Sequence, residues 1–360
     1  MRSILVIAAA ERRFFIENCR NRGGLPRRIY AVKTFHISKY RRKRKMNVAV
    51  QLLFLIIGFV MLVKGADWFV EGAGKVAERF GIPQLVIGLT IVAIGTSLPE
   101  AAVSTSAALK GSAEITIGNV VGSNIINILL ILGITSVISP LAVQKSTIKY
   151  ELPMVVAATA LLAALGLTDG TIGRIDGLIL LVGMVVYLLY LLQMAKKGQA
   201  AAGGEETDQD GGKDSMFKLL LLILIGGAMI VFGSDITVDA ATALAKIFGM
   251  SERLIGLTIV AFGTSLPELV TSATAAVKGK ADIAVGNIVG SNLFNILFVV
   301  GISGVITPVV YQPAFLIDTV ICIATAVLLW ICVIRKQKLQ RHGGAILLAC
   351  YAGYFFYLIR

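Results

Sequence analysis

Two short blocks occur twice in this chain, and together they hold the side chains best placed to do chemistry. The first is Gly95-Thr-Ser-Leu-Pro-Glu100, matched by Gly263-Thr-Ser-Leu-Pro-Glu268. The second is Gly118-Asn-Val-Val-Gly-Ser-Asn-Ile-Ile-Asn127, matched by Gly286-Asn-Ile-Val-Gly-Ser-Asn-Leu-Phe-Asn295. Their donor inventory is carboxylate, hydroxyl, amide and carbonyl oxygen, with no His, Cys or Met. Hard cations such as Ca²⁺ and Na⁺ take such ligands, whereas zinc or copper favours softer ones. The two glutamates supply a charge that balances one divalent or two monovalent ions. Competition of that kind for one charged site is the physical basis of ion exchange.

The spacing puts these oxygens together. Thr96 and Glu100 are four residues apart and Ser97 and Glu100 three, so on a helix they share a face; Thr264, Ser265 and Glu268 repeat the arrangement. Pro99 has no N–H and frees the carbonyl of Gly95, and Leu98, preceding it, is expected to leave helical geometry. A break there exposes backbone oxygens beside the carboxylate. In the second block Ser123 and Asn127 share a helix face, as do Ser291 and Asn295, with Asn119 and Asn287 nearly in line. Gly118, Gly122, Gly286 and Gly290 allow close helix approach, a structural role as well supported as a binding one. No Lys or Arg stands in these blocks to neutralise either Glu.

The elements that carry them are membrane spans. Of the 360 residues, 56% are hydrophobic and 15% charged, and the mean hydropathy is +0.83. A soluble domain carries about a quarter charged residues, so a soluble enzyme or binding module is excluded. Ten apolar segments of bilayer-spanning length are expected near 47–68, 84–108, 115–138, 150–167, 174–194, 217–240, 252–276, 283–306, 313–334 and 343–359. The fold class is an all-α polytopic membrane protein. At a span centre an ionisable side chain costs at least about 2.5–3.5 kcal/mol, and so marks an ion path.

The net charge of +13 sits almost wholly in residues 1–45, which hold 14 Lys and Arg against two Glu. This segment, ending in Arg41-Arg-Lys-Arg-Lys45, reads as a disordered or untranslated extension before Met46, although such a cluster also suits anionic lipid or nucleic acid. From Met46 onward, 15 Lys and Arg lie in or beside alternate loops that include the Gly- and Ala-rich stretch Lys196–Ser215, against five on the other side: Lys110, Arg174, Lys246, Arg253 and Arg360. The excess places the 196–216 linker in the cytoplasm and both termini outside. Cys322, Cys332 and Cys350 lie in apolar stretches and read as small buried hydrophobes; with Cys19 they show no metal-binding spacing. His36 and His342 are the only histidines.

The chain also repeats itself. Gly88–Pro140 and Gly256–Pro308 align without a gap at an offset of 168, with 33 identities in 53 positions. Upstream, Gly65 matches Gly233, Asp67 matches Asp235 and Glu71 corresponds to Asp239. The expected organisation is a first five-helix repeat over 46–195, a linker over 196–216 and a second repeat over 217–360. Five spans per copy insert the second copy upside down, the architecture of many secondary transporters with a midplane site. Identity concentrated in Gly, Ser, Thr, Pro, Glu and Asn inside apolar helices points to function rather than bundle-building alone.

These doubled blocks resemble the α-repeats of the cation/calcium exchanger superfamily, and most closely its prokaryotic sodium/calcium exchangers. The resemblance covers Met46 to the C-terminus. It implies ten helices, with the second, third, seventh and eighth forming the ion-binding core, and Na⁺ moving inward to drive Ca²⁺ outward by alternating access as the first and sixth helices slide. By motif position it implies Glu100 and Glu268 as central ligands, and Thr96, Ser97, Thr264 and Ser265 with the carbonyls of Ala93 and Ala261 completing the sites. Ser123 and Ser291 serve outer Na⁺ positions, and Asn127 and Asn295 line the middle. The short linker leaves no room for a calcium-sensing domain.

The expected function is thus K⁺-independent Ca²⁺/Na⁺ antiport across a cell membrane, with no cofactor, no nucleic acid and no obligatory protein partner. A Ca²⁺/H⁺ antiporter uses the same carboxylates. An intramembrane hydrolase built on Ser97 or Ser265 lacks a base, because neither histidine lies in a span beside them. In potassium-dependent relatives the position of Asn295 is typically Asp. With the neutral amides Asn127 and Asn295, K⁺ bound together with Ca²⁺ would leave uncompensated charge in a low-dielectric site.

Overall fold

The computed structural model describes residues 27–109, 114–202, 215–249 and 261–359. The chain divides after Leu53 into two units. In the first, residues 27–53 are helical; the site and its surroundings lie in the second, Phe54–Arg360.

The architecture is helical, with four two-residue strands. Helix α1 is Arg27–Phe80, α2 is Gln84–Thr96 and α3 is Leu98–Leu109. Helix α4 runs through Glu114–Ile125, a π-helical stretch Ile126–Leu132 and Gly133–Ile138. After strand β1 (Leu141–Ala142) come α5 (Thr147–Asp169), β2 (Thr171–Ile172) and α6 (Arg174–Ala202). The second half holds α7 (Met216–Ile247), α8 (Ala261–Thr264), α9 (Leu266–Val277) and α10 (Ala281–Ile306), the last with a π-helical stretch Asn295–Val300. Strand β3 (Val309–Val310), α11 (Pro313–Ile334), β4 (Lys338–Leu339) and α12 (Arg341–Ile359) complete it. The 168-residue offset is visible in the backbone, because α3 and α9, the π-helical stretches Ile126–Leu132 and Asn295–Val300, and β1 and β3 fall in register to within a residue. The strands pair antiparallel across the halves, β1 with β4 and β2 with β3.

The surface pattern is that of a protein in lipid. Along α6, Leu178, Val182, Val185, Leu189 and Leu192 are exposed, while Leu180, Met184, Tyr187 and Leu191 on the other face are buried. A helix apolar on both faces belongs in a membrane. Among the described residues seven helices are long and apolar enough to cross one, and the α2–α3 pair, bent by 46°, makes an eighth if counted as one span. They differ in enclosure: 83% of the apolar window of α10 is buried but only 17% of that of α1.

Several sequence expectations change here. The seventh expected span is described only from Ala261, residues 252–260 lying outside the described residues, and α12, at the place of the tenth, is not among the seven. Helix α1 is described over Arg27–Phe80, so residues 27–45 fall within its bounds; residues 1–26 lie outside the described residues. Helix α6 continues to Ala202, seven residues into the stretch read as linker, and residues 203–214 are outside the described residues. Of the cysteines in apolar stretches only Cys322 is buried; Cys332 is partly buried and Cys350 is exposed on α12.

Candidate ion-binding site

The helix break falls one residue earlier than Pro99 alone suggests. Leu98 is the first residue of α3, and it is Ser97 that leaves helical geometry, with φ −87° and ψ 9°. Ser265 does the same in the second copy, with φ −90° and ψ 6°. Pro at the second helical position is well tolerated there, because its missing N–H has no partner in a first turn. Each serine is therefore the hinge of a broken helix, and its carbonyl accepts the N–H of Ala101 or Leu269 at 3.1 Å.

The hinge hydroxyls reach across to the other copy. Ser97 Oγ donates to Glu268 Oε1 at 2.8 Å, and Ser265 Oγ to Glu100 Oε1 at 3.4 Å. Each hinge hydroxyl thus bonds the carboxylate of the other copy, not the one on its own helix. Both glutamates are essentially without solvent exposure, and each keeps its second oxygen, Oε2, free of any hydrogen-bond donor. The ion pairs seen among the described residues, Lys75 with Glu71 and Lys278 with Asp67, involve neither of them.

Asparagines form the second half of the site. Asn124 Nδ2 donates to the Asn292 carbonyl at 3.1 Å, and Asn292 Nδ2 returns to the Asn124 carbonyl at 3.3 Å. Onto this clasp Asn127 Nδ2 donates to Asn292 Oδ1 at 3.0 Å, and Asn295 Nδ2 to Asn124 Oδ1 at 3.2 Å. With their nitrogens so engaged, Asn127 and Asn295 are left with buried Oδ1 atoms that meet no donor. Both sit at π-helical stretches, which recur at functional sites because they re-aim side chains. The stretch holding Asn127 packs against α9, and that holding Asn295 against α3.

The remaining residues divide into lining and scaffold. Thr96 Oγ1 lies 3.0 Å from Asn287 Oδ1 and 3.1 Å from the Val92 carbonyl. Ser291 Oγ donates to the Ala93 carbonyl at 3.4 Å, and that oxygen also takes the N–H of Ser97 at 3.1 Å. Ser123 is buried on α4. Thr264 is only partly buried and lines an open cavity, and Ala261 is the first described residue of α8. Asn119 and Asn287 act as braces: Asn119 Nδ2 donates to Ser104 Oγ at 3.0 Å and to the Glu100 carbonyl, and Asn287 Nδ2 to Ser272 Oγ at 2.9 Å and to the Glu268 carbonyl. Gly286 and Gly290 have a packing role. A Cβ on Gly290 would stand 2.7 Å from the Leu89 carbonyl and from Ala93 Cβ, so α10 lies directly on the helix that carries Thr96.

Sequence reasoning passed over Asn124, Asn292, Ser104 and Ser272. All four are identical across the 168-residue offset, which was the available signal. It also passed over Glu151, a buried carboxylate bonded to the Tyr190 hydroxyl, which has no counterpart in the repeated blocks.

Buried acceptors in native proteins are nearly always satisfied. Here four fail together in paired copies, two of them on the glutamates and two on side-chain amides. Among the described residues no group of three or more His, Cys, Asp and Glu could hold a metal, so a cation here would be held by two carboxylates and neutral oxygens. The fold and this centre define the class: a multi-pass helical membrane protein organised around a buried, oxygen-only polar core.

The comparisons narrow that class. The family described as Sodium/calcium exchanger protein matches residues 50–193 and 218–360. The chain is similar to CaxA of Alkalimonas amylolytica, 39% identical over 315 residues that make up 86% of this chain and 98% of that protein. It is similar to the sodium/calcium exchanger MaX1 of Methanosarcina acetivorans, 32% identical over 342 residues, covering 85% of this chain and 98% of that protein. Among solved structures, the sodium-calcium exchanger NCX_Mj soaked with 10 mM Na⁺ and zero Ca²⁺ matches with a TM-score of 0.74 at 32% identity, covering 85% of this chain and 97% of that one. The chain belongs to the sodium/calcium exchanger family, and it is a transporter, not an enzyme.

Proposed function

We propose that this protein exchanges Ca²⁺ for Na⁺ across a cell membrane by alternating access, with Glu100 and Glu268 as the central ligands. The observation that carries the reading is the set of four buried, donorless oxygens: Oε2 of both glutamates and Oδ1 of Asn127 and Asn295. Desolvated carboxylates without a cationic side chain are costly, and a bound cation removes that cost. Ca²⁺ takes six to eight oxygens, and Thr96, Ser97, Thr264, Ser265, Ser123, Ser291 and the Ala93 and Ala261 carbonyls are the neighbouring supply. Two negative charges accept one Ca²⁺ or a pair of Na⁺, so each ion displaces the other. The names of MaX1 and NCX_Mj agree with this choice of ions.

The same reading extends to architecture. Ten helices form two inverted repeats, 46–195 and 217–360, with the 196–216 connection cytoplasmic and the termini outside. The weak enclosure of α1 and α7 beside the strongly enclosed α4 and α10 supports a pair of peripheral helices moving over a fixed core. The ions are the only partners the mechanism needs, and K⁺ is not among them, because neutral Asn127 and Asn295 add no charge to hold it.

The test is ⁴⁵Ca²⁺ flux in proteoliposomes under separately imposed Na⁺ and H⁺ gradients. Uptake driven by the Na⁺ gradient alone is expected. Uptake driven by H⁺ without Na⁺ would instead make the protein a Ca²⁺/H⁺ antiporter.

A further inference from the structure

The repeat offset pairs Asp67 with Asp235, and Glu71 with Asp239, and the described residues around the two acidic pairs differ. Asp235 and Asp239 are exposed on α7 and line a cavity of about 460 Å³. Leu98, Pro99, Val238 and Thr264 form other parts of its wall, so the cavity reaches both repeated Gly-Thr-Ser-Leu-Pro-Glu blocks. Among the described residues neither aspartate has an ion-pair partner.

On α1 the equivalent acids are paired with lysines, Glu71 with Lys75 and Asp67 with Lys278. Lys278 Nζ stands 2.6 Å from Asp67 Oδ1 and donates to the Asp67 main-chain carbonyl at 2.9 Å. Lys280, two residues further, lies over Gly74, where a Cβ would collide with its ammonium group. Burial there lowers the Lys280 pKa below its ordinary value. Gly279 between the two lysines has φ +75°, a conformation glycine adopts without strain, which makes the short α9–α10 turn possible. The apolar lining follows suit: Leu266 and Pro267 are buried where their equivalents Leu98 and Pro99 face the cavity.

We infer that the Lys278–Asp67 ion pair is the latch of the cytoplasmic entrance, tying the α9–α10 turn to α1 while the outer cavity stands open. This inference rests on the alternating-access reading above. For a cavity to form on the cytoplasmic side, α1 must leave this turn, and the pair must break. Both side chains are about one-third exposed, at 27% and 38%. A pair so placed biases an equilibrium by up to about fivefold, enough to favour one state and weak enough to be broken in each cycle. Lys278 and Asp67 are positioning residues; neither touches the ion site.

The test reads accessibility and does not require transport. In a chain whose four cysteines are replaced by alanine, Val103→Cys places a thiol on the cavity wall, and a membrane-impermeant maleimide is applied from outside. Labelling in the parent should differ between Na⁺ and Ca²⁺. Lys278→Gln and Asp67→Asn should each shift the equilibrium about fivefold toward the protected form. The double neutral variant should do no more than either single one, and the charge-exchanged pair Asp67→Lys with Lys278→Asp should restore labelling. A pair that merely stabilises the fold would lower the melting temperature and leave labelling unchanged, and that result would overturn the latch. Ion-independent labelling of the parent would strike the exchange reading instead, while the ratio of variant to parent would still report on the latch.

Discussion

The two copies of the Gly-Thr-Ser-Leu-Pro-Glu block are identical in sequence and unlike in surroundings. Leu98 is 50% exposed and Leu266 5%, and Val103 is 42% exposed where its equivalent Thr271 is fully buried. Ser97 holds Glu268 at 2.8 Å, whereas Ser265 stands 3.4 Å from Glu100. Asp235 looks into a cavity and Asp67 is held by Lys278. Identical residues can occupy such different environments only if the difference lies in how the halves are packed. The packing seen here leaves a cavity beside Leu98, Pro99 and Val103 and closes over Leu266, Pro267 and Thr271.

The largest test of that comparison removes what the copies share. Glu100→Gln or Glu268→Gln should each cut Ca²⁺ flux by more than about 100-fold, because losing one partner from a buried charged assembly costs ~3–5 kcal/mol. Size-exclusion profiles and circular dichroism should remain those of a folded protein. Near-normal flux in either well-folded variant would remove that carboxylate from the site.

Packing gives the next effect. Gly290→Ala forces a methyl into a contact already 2.7 Å from backbone and side chain. Overpacking of this kind costs about 1–3 kcal/mol, so the melting temperature in detergent should fall, and flux with it. An unchanged melting temperature would show that α10 does not rest on α2 as closely as described.

The hydroxyls sharpen the contrast between copies. Ser97→Ala removes a short hydrogen bond to a carboxylate, worth about 1.5–3 kcal/mol, and should raise the Ca²⁺ concentration for half-maximal binding roughly tenfold or more. Ser265→Ala removes a longer bond and should do less. Equal effects would mean that the asymmetry is not felt by the ion.

The smallest effect concerns K⁺. Replacing K⁺ by choline on both sides should leave Na⁺-driven Ca²⁺ flux unchanged, and Asn295→Asp should introduce some K⁺ sensitivity or, if the new carboxyl keeps its proton, change little. Loss of flux on choline replacement would show that neutral Asn127 and Asn295 do not set cation choice.

Much of the site was legible because duplication marks it. Glu100, Glu268, Ser97, Ser265, Asn127 and Asn295 stand out as polar residues repeated in register within apolar helices, and local spacing rules place them on common faces. The partnerships were not legible. Spacing speaks only of one helix, so it gave Ser97 and Glu100 a common face and said nothing of the bond from the Ser97 hydroxyl to Glu268. The asparagine clasp is likewise formed between copies, and a pairing across 168 residues leaves no local trace. Proline chemistry predicted the break but misplaced it by one residue, because Pro99 is accommodated in the first turn of α3 and the chain turns at Ser97 instead. Glu151 and Tyr190 escaped because nothing in the second copy echoes them. The helical span count depends on helix ends, where hydropathy is weakest as a guide: α6 runs on through Lys196 and Lys197 to Ala202.

The central claim is that Ca²⁺ and Na⁺ compete for one buried pair of carboxylates. Equilibrium binding of ⁴⁵Ca²⁺ to the purified protein, titrated with NaCl against choline chloride at constant ionic strength, tests it most directly. Saturable Ca²⁺ binding that Na⁺ displaces is expected, with a Hill coefficient above one for Na⁺, and its loss in Glu100→Gln and Glu268→Gln. Ca²⁺ binding that Na⁺ leaves untouched, or that survives in both glutamine variants, would contradict it.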